Sequence, residues 1–254
     1  MIDFPIADIE IVESMRYAPE LHEAINLKGK KQAIKEELVG GVKLNAIRQE
    51  GLRFGAQSGL SVRYDLIMEY LDEHEDKLNA LFNFAGFVRQ GNLLIPSLTE
   101  VNSQLINEGD QLRTISKSYT IDSEAELVST VPTWRDYLVQ HYEKPQTPHS
   151  SILPVTPVEI KVWKSAVEAG WRSGVQDADN IFTDRVAQLA KDINGRYLYI
   201  TTEKKNLLTP ATVYSTNAQV TFNGRTMNID EKVFRVENSA NFKSADNWEP
   251  IWTK

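Results

Sequence analysis

Eleven apolar residues, Val158, Val162, Trp163, Val167, Trp171, Val175, Ile181, Phe182, Val186, Leu189 and Ile193, recur at helical spacing. The stripe is too long for a typical globular helix, so the sequence predicts one helical spine on which the rest of the chain is built. Its start is marked by Thr156 as N-cap, Pro157 in the first turn and Glu159 at the reciprocal capping position. Asn194-Gly195 reads as its stop. Along it Ala166, Gly170, Gly174 and Ala178 repeat every fourth position, and each interior glycine weakens a helix by about 1 kcal/mol relative to alanine. That cost is offset when another backbone lies close against the small face.

A partner is present upstream. Ala46, Gly51, Gly55 and Gly59 lie within a second helical pattern from about Val42 to His74, three of them at the same four-residue spacing. Four-residue rows on both helices interdigitate, so Gly51, Gly55, Gly59, Gly170 and Gly174 are the candidate helix-packing residues. The alternative is that each row merely accommodates a large side chain such as Trp163 or Trp171. The fold class is α+β, with long helices crossing at glycine-rich faces and small antiparallel β-hairpin elements.

The organisation read from the pattern is an irregular N-terminal segment over 1–31, one α+β domain over 32–237 and a tail over 238–254. In the first segment Pro5 and Pro19 interrupt any long helix. A bend is expected at the acidic stretch 72–76. Phe84 to Val101, broken by Gly86, Gly91 and Pro96, reads as irregular connection or short strand. Leu112–Ile115 and Ser118–Ile121 read as a small antiparallel sheet, and Tyr142 to Pro157, with four prolines, as an extended loop. Tyr197–Thr201 reads as a strand. Asn223-Gly224 between apolar alternations is the strongest local hairpin signal, with Val233–Val236 as a third strand. One echo, Lys117 to Asp122 against Gly224 to Asp230, is too little to define a repeat architecture.

Formal net charge is -7, and the basic residues are scattered. Direct nucleic-acid binding is not expected, because neutralising a phosphate backbone takes a clustered basic face. The longest apolar cluster, Leu93-Leu94-Ile95, is far short of a membrane span. Absence of cysteine is compatible with an oxidising compartment and with the cytosol alike.

Catalytic patterns end as near misses. Gly55-Ala56-Gln57-Ser58-Gly59 has glutamine where a nucleophile elbow needs serine and sits inside a helix. His141, Glu143 and His149 have metal-ligand chemistry, yet lie in a proline-rich loop without one-face spacing. No phosphate loop or dinucleotide fingerprint is present, so no catalytic, cofactor or metal residue is assigned and no cofactor is expected. Trp134-Arg135-Asp136 reads as an anchor with an ion pair, and Trp163 and Trp171 as core. The interface candidates are Asn223 and Gly224 at the hairpin, and Trp248 and Trp252 in the tail.

Several motifs occur together in order: VPTWRDYL at Val131–Leu138, His-Tyr-Glu-Lys-Pro at 141–145, Pro148-His149, Leu153-Pro154, Val162-Trp163-Lys164, Glu168-Ala169-Gly170-Trp171 and Gly174-Val175. With the Gly51–Gly55–Gly59 helix and Phe82-Asn83-Phe84, they resemble the DotC family, lipoproteins of the Dot/Icm (type IVB) secretion system that include the corresponding transfer protein of IncI-type conjugative plasmids. The resemblance covers roughly Asn45 to Ile193. It implies a periplasmic, outer-membrane-associated, non-enzymatic subunit of the core complex through which DNA or effector proteins are exported, with other core subunits as partners. It also implies membrane attachment through a lipidated N-terminal cysteine, a residue absent from this sequence. The alternative reading is a periplasmic envelope enzyme or glycan-binding module with its site in the 141–149 loop.

Overall fold

The computed structural model describes residues 19–29, 40–108 and 111–244. In chain order the elements are α1 (Pro19–Ile25), α2 (Gly40–Glu73), α3 (Glu75–Leu81), a 3-10 turn (Phe84–Phe87), β1 (Val88–Arg89), β2 (Leu93–Leu94), β3 (Ser97–Glu108), β4 (Gln111–Ser123), β5 (Glu126–Leu127), α4 (Trp134–Leu138), α5 (Pro157–Lys204), β6 (Leu208–Thr209), β7 (Thr212–Asn223), β8 (Thr226–Asn238) and β9 (Asn241–Phe242). The fold is α+β. Two compact units form, Met1–Leu78 with Tyr137–Val186 and Asn79–Asp136 with Ala187–Lys254. Among the described residues no helix is long and apolar enough to cross a membrane.

The first unit is built on α2 and the first part of α5. Thr156 and Glu159 close the expected capping box: Thr156 N donates to the Glu159 carboxylate at 3.0 Å, and Glu159 N donates to Thr156 Oγ1 at 3.2 Å. Ala24, Ile47, Phe54, Leu153, Trp163 and Val167 form one buried cluster. Val62, Trp171 and Val175 form a second, and Leu21 of α1 packs against both. Trp163 is fully buried, its Nε1 donating to the Ala24 carbonyl at 3.0 Å. Pro19 opens this short docked helix, since the first helical position needs no N–H donor. The bend falls where the acidic stretch places it, α2 ending at Glu73 and α3 beginning at Glu75.

In the second unit the strands are longer than their sequence signals. β4 is continuous through the Ser116-Lys117 position expected to be a link, because its partner is β3, in register from Leu98 opposite Ile121 to Glu108 opposite Gln111. Likewise β8 absorbs Val233–Val236, the segment expected as a third strand, and pairs with β7 over its whole length. Asn223 pairs with Thr226, so Gly224 and Arg225 are the two turn residues and Gly224 alone supplies positive φ, at 59°. The helix stop expected at Asn194-Gly195 does not occur, and Tyr197–Thr201 is helical, because α5 runs to Lys204. A Cβ on Gly195 would lie 2.7 Å from the Leu98 carbonyl oxygen, so this glycine is required by close approach to β3 and not by chain reversal.

The chain is built twice over. β2, β3, β4 and β5 each begin and end 115 positions before β6, β7, β8 and β9. Both modules are a short strand, a long two-stranded ribbon and a short strand that closes antiparallel on the first. Ladder irregularities fall at equivalent places, Ser97/Leu98 and Thr212/Val213. So do the closing bonds, Val128 N to Asn92 O at 2.9 Å and Lys243 N to Leu207 O at 3.0 Å. The same offset relates the helix glycines, Gly55 to Gly170 and Gly59 to Gly174, with a serine before the second glycine in each helix. The echo noted between 117–122 and 224–230 has a different spacing and does not match this equivalence.

Candidate functional site

The helix crossing is held by backbone approach. An added Cβ on Gly51 would lie 2.9 Å from the Ala166 Cβ, and one on Gly59 would lie 2.5 Å from the Trp171 carbonyl oxygen. Gly55 faces the backbone of Val167 and Trp171, Gly170 that of Leu52 and Ala56, and Gly174 that of Ala56 and Leu60. All five candidate glycines thus lie at one interface. These contacts are reciprocal under the 115-residue offset, Gly55 meeting Val167 and Trp171 as Gly170 meets Leu52 and Ala56. The helices run parallel and are related locally by a pseudo-twofold.

Ion pairs secure the crossing on either side, and neither was legible in the sequence. Arg63, whose side chain is 5% exposed, donates through Nε to Asp179 at 2.6 Å. Lys43 lies 2.8 Å from Glu159. Burial alone would raise the Glu159 pKa, but the Lys43 ammonium and the N–H groups of Thr156 and Val155 outweigh it and hold the carboxyl below the usual glutamate value. The stability this gives is complete above the unfolded-state pKa of about 4.3 and is lost as pH falls through the folded value. Glu159→Gln is therefore expected to destabilise most at neutral pH, with its deficit against the parent narrowing as pH is lowered from about 5 to about 3 in thermal melts. Deficits of equal size across that range would show that the carboxylate charge is not what matters.

Within 131–149, residues 133–138 and Tyr142 are held by hydrogen bonds and ring contacts. Thr133 N donates to Asp136 Oδ2 at 2.7 Å, Trp134 Nε1 donates to Asn79 Oδ1 at 2.8 Å, and the Arg135 guanidinium sits 4.4 Å from the Trp134 ring centroid. Thr133 and Asp136 thus cap the start of α4, as their three-residue spacing favours. The Tyr142 ring meets Tyr64 edge-on at 4.9 Å, and Ser61 Oγ donates to the Tyr142 carbonyl at 2.8 Å. Tyr64 OH donates to the Leu138 carbonyl at 3.1 Å, and burial raises its pKa. Beside this anchor Gln57, Leu60 and residues 142–146 line a cleft of about 290 Å³. His141, Glu143 and His149 are exposed, and His149 Nδ1 lies 2.9 Å from Ser151 Oγ. Among the described residues no group of three or more His, Cys, Asp and Glu is placed to hold a metal ion.

Asn223 and Gly224 lie at the exposed tip of the β7–β8 ribbon. Trp248 and Trp252 lie outside the described residues. On one face of the tip Phe222 sits opposite Met227 and Val220 opposite Ile229. Phe222 is 76% exposed and Ile229 65%. The alternation in 220–229 was the available signal for this patch.

Residues 42–250 match the T4SS_TraI family, described as type IV secretory system, conjugal DNA-protein transfer. The chain belongs to this family. It is a component of type IV secretion in conjugal transfer, and the match takes in both parallel helices and both ribbon modules. No curated protein matches the chain.

Proposed function

We propose that this T4SS_TraI member is the DotC-type subunit of a type IVB system, a non-catalytic scaffold of the outer-membrane core that helps line the export route for DNA or effector proteins. The observation that carries the reading is the family match over 42–250, joined to the ordered motifs that resemble DotC. Its support in the fold is that the motif residues are engaged in packing. Trp134 is held by Asn79, Tyr142 by Ser61 and Tyr64, and Trp163, Gly170, Trp171 and Gly174 at the helix crossing. In this reading the protein works in the periplasm against the outer membrane, anchored by a lipid outside the sequence in hand. Its partners are the other core subunits, and its net charge of -7 leaves direct DNA binding to others.

The test is affinity purification of the tagged full-length protein from gently solubilised envelopes of its host, with co-purifying proteins identified by mass. The expected result is fractionation with the outer membrane and recovery of further secretion-core subunits. Recovery alone, soluble and outside the envelope fraction, overturns the proposal. Loss of a cell-wall activity on His149→Ala would favour an envelope enzyme instead.

A further inference from the structure

The two ribbons are equivalent in layout and differ in how their edges are guarded. Long edge strands in monomers normally carry charges that discourage pairing with another chain. β3 contains Glu100, which pairs with Lys117 of β4 at 2.8 Å, and β4 also contains Arg113 and Asp122. The position in β7 equivalent to Glu100 is Ser215, and no charged residue occurs anywhere from Asn206 to Gly224. All twelve residues of β7 are uncharged and contain neither proline nor glycine. Its φ values are all negative, whereas β3 and β8 are interrupted by Ser103 at 57° and Asp230 at 56°. Among the described residues β8 is the only strand hydrogen-bonded to it. A lone two-stranded ribbon is marginal in water, and a third strand is what stabilises such a sheet.

We propose that the outer edge of β7 pairs antiparallel with β7 of a second copy of this chain, making a four-stranded sheet across a twofold axis. Electrostatics select this occupant. Two copies of an acidic chain repel, and this edge brings them together without placing like charges opposite one another. Antiparallel pairing through the β8 edge would set its own charges, Asp230, Glu231, Lys232, Arg235 and Glu237, against those of its copy.

Side-chain alternation limits the register to pairings that keep the faces matched, and setting the exposed aromatics Phe222 and Tyr214 opposite each other selects one of them. With Ala218 on the axis opposite Ala218 of the second copy, Val220 faces Thr216 and Phe222 faces Tyr214 on one side of the sheet. Asn217 faces Gln219 and Ser215 faces Thr221 on the other. The apolar tip of each ribbon, Phe222 and Met227, is thereby extended by the 47% exposed Tyr214 of the other copy. The exposed aromatics Phe222 and Tyr214 meet, the polar residues of the other face meet one another, and a one-residue slip would put opposite faces together.

The sequence has no cysteine, so introduced thiols report position cleanly. Directly opposed residues in an antiparallel pair bring their Cβ atoms to about 4.5–5.5 Å, within reach of a disulfide after small adjustment. Under mild oxidation Ala218→Cys is expected to give a covalent dimer. Phe222→Cys and Tyr214→Cys are each expected to stay monomeric alone and to cross-link when mixed. Ala218→Lys is expected to weaken dimerisation of the full chain at least about tenfold in sedimentation equilibrium, with the melting curve unchanged at concentrations where the parent chain is monomeric. Cross-linking of Phe222→Cys with itself to the same extent as in the mixture would mean random collision and overturn the register. A parent chain monomeric at every concentration, or a β7 cross-link captured in envelopes only on a different subunit, overturns the self-pairing.

Discussion

Gly174→Leu is expected to leave no folded protein, and Gly174→Ala to lower the melting temperature by about 6–12 °C. The alanine estimate follows from an overpacking cost of about 3 kcal/mol, at the upper end of the usual range, and about 2–4 °C per kcal/mol for a chain of this size. The upper end applies because the obstacles are the Ala56 carbonyl and the Leu60 amide, backbone atoms inside a helix that cannot rotate aside. A single methyl must therefore separate the two helices along the crossing, loosening the contacts of Gly55, Gly59 and Gly170 together. Gly55→Leu should behave in the same way, since a Cβ there would run into the Val167 carbonyl oxygen, again a backbone atom inside a helix. Gly86→Ala is the control. A Cβ there meets nothing within 4 Å, and the substitution is expected to be neutral or to stabilise by up to about 1 kcal/mol. Circular dichroism melts of the four variants decide the matter. Retained stability in Gly55→Leu and Gly174→Leu would show that the crossing is not the centre of this unit.

The glycine rows were readable because four-residue spacing is a property of one helix at a time, and two matched rows suggest their own partner. The helix stop at Asn194-Gly195 was misread for the same local reason. Glycine after asparagine ends a helix when nothing else is near, whereas here the β3 backbone occupies the space a side chain would need. Strand lengths were underestimated because Ser116-Lys117 looks like a link until Asn102 is known to lie opposite Lys117. Partner strands, not alternation, set those limits. The duplication was hidden because the halves retain few identical residues. The paired Ser-Gly steps at 58–59 and 173–174, with Gly55 and Gly170 four residues before each glycine, were the available signals. Buried cations such as Arg63 and Arg196 gave no signal at all, since a sequence does not distinguish a solvated arginine from an anchoring one.

Arg196→Ala is expected to destabilise the protein by about 3–5 kcal/mol, the cost of removing one partner from a buried ion pair. The Arg196 side chain is 4% exposed, and Nη2 lies 3.0 Å from Asp192 Oδ2 one turn earlier on α5. Its Nη1 donates to the Ile95 carbonyl, and the guanidinium lies 6.0 Å from the Phe84 ring centroid. One planar group thus joins the last turns of α5, the segment leading into the first ribbon and the 3-10 turn at Phe84–Phe87. Arg196→Lys retains the charge but loses the fork that reaches Asp192 and Ile95 together, so it should recover only part of the loss. Urea unfolding at neutral pH separates the outcomes, with a lowered midpoint and an unchanged slope as the expected signature. A loss under about 1 kcal/mol in Arg196→Ala would assign the guanidinium to the solvated class of ion pair. The placement of Arg196 and Gly195 side by side also accounts for the length of α5. The glycine lets β3 approach and the arginine ties the helix to Ile95, so the helix continues through a sequence that would end it in isolation.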